Sequence, residues 1–147
     1  MDSFKTSIEA FFDNYRARFN ASLQGAEVDV DGTVDSFSDC FIEASPVGIN
    51  CGKNDKSFRK KIPKGYEFYK KIGTRSMLIE KREVTQLDDL HALVKITWRS
   101  EYNRKNDSML TLDFDVFYLV QNTEQGIKIF AYITGDEQKL LKENGLI

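Results

Sequence analysis

The stretch from Met109 to Thr134 constrains the fold more than any other part of the chain, because apolar and polar residues alternate through it. Side chains of a β-strand point alternately to opposite faces, so this pattern predicts two strands that share one apolar face. Turn-forming residues from Asn122 to Gly126 separate them, which makes the pair a hairpin. With Thr123 to Gly126 as the loop, Tyr118 is expected opposite Ala131.

The preceding segment, LHALVKITWRSEY, alternates in the same way and predicts another strand. With Asn103 to Asp107 as the connecting loop, Ala92 is expected opposite Tyr118. Tyr118 would then lie between two alanines, Ala92 and Ala131, with space beside its phenol. Such a tyrosine is either a core residue whose hydroxyl is hydrogen-bonded or the polar group of a ligand cavity.

The opposite face of these strands carries large apolar residues where a monomer should be polar. They are Leu93, Phe117, Leu119, Phe130 and Tyr132. Apolar patches of this kind usually mark an interface, and the strands become polar beyond it, as the rim of an interface does. We therefore expect a two-fold homodimer through this convex surface of the sheet. The alternative is a monomer in which the C-terminal helix covers the patch.

Helices are predicted where apolar residues recur at spacings of three and four. Residues 3–24 have this spacing, with many aromatic side chains, and predict one long amphipathic helix that stops at Gly25. A short helix capped by Thr33 is expected next. The strand after it is expected to break at Pro46 and Gly48.

A third helix is expected after Asp55, whose side chain can cap the first turn. Pro63 removes one hydrogen bond from it, which predicts a kink or two short helices. Strand-like sequence resumes at Ser76, and Thr134 or Asp136 can cap a small C-terminal helix. Helices on one face of a curved antiparallel sheet define an α+β cone.

The composition is typical of a soluble globular protein, with 41% hydrophobic and 30% charged residues among 147. This length fits one domain, residues 1–147. We expect a cytoplasmic protein without membrane contact, because no apolar stretch approaches the roughly 20 residues of a membrane helix and no secretory signal begins the chain.

Residues 53–75 hold nine Lys or Arg against two acids. Such a segment is typical of a solvated helix face, and the alternative is recruitment of an anionic ligand or of nucleic acid. We expect no nucleic-acid partner, because the glycine and aromatic pattern of an RNA-binding motif is missing.

No pattern predicts a metal or a cofactor. Cys40 and Cys51 have no CxxC spacing and no histidine nearby, so we expect buried free thiols. His91, the only histidine, shares the outer face with Leu93 and does not suit a catalytic triad. Neither a phosphate-binding glycine loop nor a dinucleotide fingerprint occurs.

The chain resembles the nuclear transport factor 2-like superfamily, which includes SnoaL-like polyketide cyclases and steroid isomerases. The resemblance covers nearly the whole length and rests on the element order, the SPVG break, the WRSEY strand end and the closing GIKIFAYIT. The ending DEQKLLKENGLI, with YKKIG in the third helix, is similar to a bacterial branch without an assigned activity. The resemblance implies a conical barrel wrapped round the N-terminal helices, an internal pocket and often a dimer.

Residue by residue, the resemblance carries over only part of the isomerase site. Steroid isomerases of this superfamily place a general-base aspartate just before the Pro-x-Gly break, where this chain has Ser45. A serine cannot take a proton from carbon without a base of its own. The second acid of those enzymes lies near the position of Tyr118, which can still donate a hydrogen bond to a carbonyl oxygen. The tyrosine of their oxyanion hole corresponds to Tyr15.

Two functions remain open. The favoured one is binding of a small, largely apolar molecule in the cone pocket, whose expected lining is Tyr15, Ser45, Ala92, Trp98, Tyr118 and Ala131. The alternative is a SnoaL-like isomerase, cyclase or hydrolase that acts on a small apolar carbonyl compound. Binding is favoured because the readable strands offer no inward carboxylate or histidine. Glu43 or Glu83 in the pocket with a raised pKa would favour the enzyme.

Overall fold

The computed structural model describes residues 2–25 and 27–147 as helices on one side of a single sheet. The elements in chain order are α1 (Asp2–Leu23), α2 (Val30–Asp35), β1 (Phe37–Ser45), β2 (Gly48–Lys53), α3 (Lys56–Lys71), β3 (Thr74–Gln86), β4 (His91–Asn103), β5 (Met109–Thr123), β6 (Gly126–Ile133) and α4 (Glu137–Glu143). The six strands follow the order β2-β1-β6-β5-β4-β3. All pair antiparallel except β1 with β6. The predicted α+β class is confirmed.

The core lies where α1 packs on the inner face of β4, β5 and β6. Every second residue of β4 from Ala92 to Tyr102 is buried, as the alternation predicts. Phe12 of α1 is fully buried, and its ring centroid lies 4.8 Å from that of Tyr118. The predicted long helix over residues 3–24 is thus observed, with its aromatic stripe against the sheet.

The register between β4 and β5 differs from the predicted one by two residues. Their pairing continues to Asn103 opposite Met109, so the loop begins one residue later than predicted, and Arg104 N–H donates to Ser108 C=O at 2.9 Å. A shift of two leaves each side chain on its predicted face but changes its partner. Tyr118 therefore pairs with Val94, and Ala92 pairs with Val120.

A β-bulge in β6 changes the predicted face of the last residues. Val120 pairs with Ile129 as predicted, but the next pair is Leu119 with Ala131. The extra residue, Phe130, turns the following side chains to the opposite face. Tyr118 consequently pairs with Tyr132 rather than with Ala131. The prediction that two alanines flank Tyr118 is wrong.

The strand after α2 ends just before Pro46, as predicted, and the chain then folds back as the second strand of a hairpin. Ser45 pairs with Gly48, so Pro46 and Val47 form the turn between β1 and β2. The short helix α2 begins before Thr33, since Asp29 caps it by accepting a hydrogen bond from Gly32 N–H at 2.9 Å.

Helix α3 runs from Lys56 to Lys71 through Pro63, so the predicted alternative of two short helices is wrong. Ile62 and Tyr66 on either side of the proline are buried, and this packing outweighs the loss of one hydrogen bond. Asp55 caps the helix by accepting from Phe58 N–H at 3.0 Å, as predicted. None of the helices in the described part of the chain has the length and apolar character needed to cross a membrane.

The two cysteines are exposed and free, so the prediction of buried thiols is wrong. Both lie on the hairpin of β1 and β2, where Cys40 pairs with Lys53 and Cys51 pairs with Ile42. This hairpin forms one edge of the sheet, with β2 outermost.

Candidate functional site

A cavity of about 350 Å³ lies between the inner face of the sheet and the helices α1 and α3. Most of its wall is aromatic. The lining residues are Tyr15, Phe19, Phe37, Glu43, Ala44, Ser45, Asn50, Tyr69, Met77, Trp98, Phe114, Val116, Tyr118, Tyr132, Thr134 and Glu137. Of the predicted pocket residues, Tyr15, Ser45, Trp98 and Tyr118 lie here. Ala92 is instead fully buried in the core, and Ala131 faces outward because of the bulge.

Tyr118 and Trp98 form a hydrogen-bonded pair in the cavity wall. The indole Nε1–H donates to the Tyr118 hydroxyl at 3.0 Å. Because the hydroxyl accepts this bond, its own proton is free for another acceptor. Burial raises the pKa of Tyr118 well above its ordinary value, so the phenol is a neutral donor at physiological pH.

Tyr15 contributes a second phenol from α1. Its ring centroid lies 6.2 Å from that of Trp98 and 6.4 Å from that of Tyr118. Arg18, three residues further along the helix, places its guanidinium carbon 5.3 Å from the centroid of the Tyr15 ring. Burial raises the pKa of Tyr15 to about 12.

The bulge places a third phenol, Tyr132, beside a carboxylate. Tyr132 pairs with Glu43 of β1 in the parallel register, and both residues line the cavity. Burial and then the Glu43 carboxylate raise the pKa of Tyr132. Glu43 is half-buried, whereas Glu83 pairs with Lys95 and forms an ion pair with Lys81 at 3.3 Å, away from the cavity. Of the two candidate acids, the cavity holds only Glu43.

A second acid, Glu137, reaches the cavity from the first turn of α4. The Tyr69 hydroxyl donates to its Oε1 at 2.9 Å. Glu137 is exposed by its overall accessible surface, yet removal from water raises the pKa of its carboxyl, opposed by the bond from Tyr69. Glu137 therefore lines the cavity while part of the residue stays open to solvent.

Sequence reasoning missed Tyr132 and Glu137 as cavity residues. The bulge that turns Tyr132 inward leaves no mark on the alternation, because Ala131 and Tyr132 are both apolar enough for either face. Glu137 could be predicted as a cavity residue only if the packing position of α4 were known. No pattern in the sequence named Tyr69 as the hydrogen-bond partner of Glu137.

A family model described as NTF2-like protein (DUF6841) matches residues 5–137. The chain belongs to this NTF2-like family. No curated protein matches the sequence. The superfamily resemblance inferred from the element order is therefore confirmed.

Solved structures of NTF2-like proteins share the fold at low sequence identity. An NTF2-like protein with a cystatin-like fold from Novosphingobium aromaticivorans is 10% identical, with a TM-score of 0.69 over 97% of this chain and 88% of that one. A ketosteroid isomerase-like protein from Erwinia carotovora atroseptica is 16% identical, with a TM-score of 0.64 over 92% and 97%. An NTF-2 like protein of unknown function from Shewanella oneidensis is 16% identical, with a TM-score of 0.65 over 90% and 98%. At these identities the likeness shows the fold alone.

The cavity of this NTF2-like chain adjoins a more open groove of about 620 Å³. The groove shares Tyr15, Phe19 and Glu43 with the inner cavity, and it adds Lys53 and Lys61 from the basic segment. Within the residues that the structure describes, no group of three His, Cys, Asp or Glu could hold a metal ion.

The outer face of the NTF2-like sheet carries the residues expected at a dimer interface, except one. Leu93 pairs with Leu119, and Lys95 Nζ lies 5.6 Å from the ring centroid of Phe117. The ring of His91 meets that of Phe130 edge to face at 6.0 Å, so this histidine lies outside the cavity. The exception is Tyr132, which lies on the inner face. Ala131 occupies the outer-face position that was predicted for Tyr132.

Proposed function

We propose that this NTF2-like protein binds a small, largely apolar molecule in the cavity between the sheet and the helices α1 and α3. The observation that carries this proposal is an aromatic cavity of about 350 Å³ with a few polar groups along its wall. Small-molecule sites typically have volumes of roughly 300–1,000 Å³, mostly apolar walls and a small number of placed polar groups.

The Trp98 and Tyr118 pair gives the proposed site its orientation. Since Tyr118 accepts a hydrogen bond from Trp98, it donates its own proton, and a carbonyl or hydroxyl oxygen of the ligand is a suitable acceptor. The rings of Tyr15, Phe19 and Phe114 supply apolar contact around it. We expect the ligand to place an oxygen or another polar atom near Tyr118 and its apolar body against these rings.

Trp98 provides a direct test because it is the only tryptophan in the chain and lines the cavity. Titration with small aromatic compounds should change its fluorescence in a saturable way. Ser45→Leu fills part of the cavity and should weaken binding about tenfold, the effect of losing ~1.4 kcal/mol. Ala131→Leu adds the same side chain on the outer face and should leave affinity unchanged. An unaltered Trp98 signal with every compound, in protein that melts normally, would contradict the proposal.

One observation favours a second candidate, a SnoaL-like enzyme that acts on a small apolar carbonyl compound. The Glu43 carboxylate lies in the cavity, on the same face of β1 as Ser45, and can serve as the base that the isomerase position lacks. Tyr118 would donate to the carbonyl oxygen. The enzyme predicts that α-protons of a bound ketone exchange with deuterium in NMR spectra, and that Glu43→Gln abolishes the exchange while ketone binding persists. If wild-type protein saturated with the ketone shows no exchange, the enzyme is contradicted and only the binding function remains.

We also propose that two copies associate through the outer face of the sheet. Leu93, Phe117, Leu119 and Phe130 supply a common apolar surface, and charged pairs such as Arg99 with Asp113 lie beyond it. A second copy presents the same surface, as an isologous interface requires.

A cytoplasmic location is part of the same proposal. Cys40 and Cys51 are exposed free thiols on neighbouring strands, a state that reducing compartments maintain. Cell fractionation should recover the protein with cytoplasmic markers, and recovery with secreted or membrane fractions would contradict this.

A further inference from the structure

The charges of the inner cavity are all of one sign. Its lining includes the carboxylates of Glu43 and Glu137, and no Lys, Arg or His occurs among the described residues that line it. The adjoining outer groove has basic lining residues, Lys53 and Lys61, and Arg18 contacts the ring of Tyr15 but does not itself line the cavity. An anionic ligand in the inner cavity would meet two like charges and no basic side chain of the lining.

Neither acid is neutralised by an ion pair. The ion pairs of the described residues, such as Arg59 with Asp31 and Arg82 with Asp13, do not include Glu43 or Glu137. Glu137 accepts instead from the Tyr69 hydroxyl at 2.9 Å. A phenol satisfies one lone pair without supplying positive charge, so the carboxylate retains its attraction for a cation.

The walls suit a cation as well. Tyr15, Tyr69, Tyr118 and Tyr132 line the cavity together with Trp98, and the faces of tyrosine and tryptophan rings attract cations. Arg18 already makes such a contact with the ring of Tyr15. Burial raises the pKa of Tyr118 and Tyr132, so both phenols stay neutral at physiological pH and present their ring faces and hydroxyl groups to a ligand.

We propose that the ligand of this cavity is an organic cation, a small apolar molecule with one amine or quaternary ammonium group. Its charge lies in the field of Glu43 and Glu137 against the tyrosine rings, and its apolar body packs toward Trp98 and Phe114. This inference rests on the proposed binding function and adds the chemical class of the ligand.

Two probes of nearly equal shape separate charge from apolar contact. Phenyltrimethylammonium carries a positive charge, and tert-butylbenzene is its neutral counterpart. Both can be titrated against the fluorescence of Trp98. We expect the cation to bind at least tenfold more tightly, which corresponds to ~1.4 kcal/mol and lies within the range of cation–π and carboxylate contributions. Phenylacetate, an anion of similar size, should bind most weakly.

Charge-neutralising variants identify the groups responsible. Glu43→Gln and Glu137→Gln should each reduce affinity for phenyltrimethylammonium several-fold, and by more than either changes affinity for tert-butylbenzene, so that the preference for the cation falls. Glu83→Gln is the matched control, because Glu83 lies away from the cavity beside Lys81, and it should alter neither affinity. Circular dichroism melts establish that each variant is folded.

The outcomes distinguish this inference from the function on which it rests. If the neutral probe binds as tightly as the cation, or if both cavity variants retain full preference for the cation, the cation inference is overturned while small-molecule binding stands. If none of the probes alters Trp98 fluorescence, both are overturned. A tenfold preference for the cation that decreases in Glu43→Gln and Glu137→Gln, and does not decrease in Glu83→Gln, supports both the cation inference and the binding function.

Discussion

At the scale of single residues, the chain uses its tyrosines as buried or partly buried neutral phenols. The chain contains six tyrosines, and burial is the largest cause of a raised pKa at each of them, Tyr15, Tyr66, Tyr69, Tyr102, Tyr118 and Tyr132. A phenol in water ionises near pH 10. These side chains therefore remain hydrogen-bond donors under conditions in which exposed tyrosines lose their protons.

We predict that the native protein shows no tyrosine ionisation at the ordinary pKa, and that Tyr15 ionises near pH 12. Ultraviolet absorbance of tyrosinate measures this directly, and the same titration in denaturant should return to about pH 10. A raised pKa in the folded state means that stability is fully present below pH 10 and is lost as the pH rises through the folded pKa. The loss is up to ~1.4 kcal/mol per pH unit for each tyrosine. Native tyrosines that ionise at the ordinary pH would contradict the prediction.

Phe12 should contribute more to stability than any residue of the cavity wall. Its side chain is fully buried against Tyr118, so Phe12→Ala should lower the free energy of unfolding by about 3–5 kcal/mol. Phe114→Ala is the comparison, because Phe114 is only partly buried and borders space that already exists. Its effect in urea denaturation should be clearly smaller. Equal losses would show that the cavity is closed around Phe114.

At the scale of elements, alternation predicts faces better than partners. Trp98 and Tyr118 were predicted to point inward from period-two patterns alone, and both do. The loop after Asn103 and the bulge at Phe130 set the register, and neither has a signature in the flanking apolar pattern. The lining of a pocket depends on which side chains are neighbours across the strands. Alternation therefore predicted the fold, but it did not predict which residues meet in the site.

The junction of α3 and β3 depends on one glycine. Gly73 has φ 88°, a left-handed conformation, and an added Cβ would overlap the carbonyl oxygen of Asn103. Gly73→Ala should therefore destabilise the protein by at least about 2 kcal/mol, measured by urea denaturation. Gly65→Ala is the matched control in α3, where a Cβ meets no neighbour. That change should be neutral or stabilise by up to ~1 kcal/mol. Similar effects at both positions would contradict the role of Gly73.

At the scale of the whole molecule, the elements leave one face of the sheet uncovered. The order of helices and strands sufficed to predict an α+β cone, because amphipathic helices must cover one face of a curved sheet. The sequence left open whether α4 covers the other face. The structure places α4 beside α3, where Tyr69 bonds to Glu137, and Arg104 donates to Asn144 C=O at 3.3 Å. The outer face therefore has no cover from this chain's own C-terminal helix.

The apolar part of that face extends beyond the residues predicted from sequence. Through β1 and β6 it gains Ile42 and Ile133, which are 44% and 50% exposed. Ile133 pairs with Phe117, and Ile42 pairs with Ala131. At one end the surface becomes charged, where Arg99 contacts both Asp113 and Glu80. A continuous apolar centre with a charged border is the usual composition of a protein interface.

The proposed homodimer predicts a specific response to charge at Phe117. Wild-type protein at micromolar concentration should scatter light as a particle of twice 16.9 kDa. Phe117→Glu places a carboxylate at the centre of the contact, and desolvating it without a partner should weaken association by several kcal/mol, enough to give monomers. Leu87→Glu is the control, because Leu87 is an exposed apolar residue beyond the end of β3 and outside the patch, and it should remain dimeric. A wild-type mass of one chain would remove the homodimer. If Phe117→Glu remains dimeric, the interface lies on another surface. An unpaired carboxylate buried between two copies would cause a measurable loss of affinity.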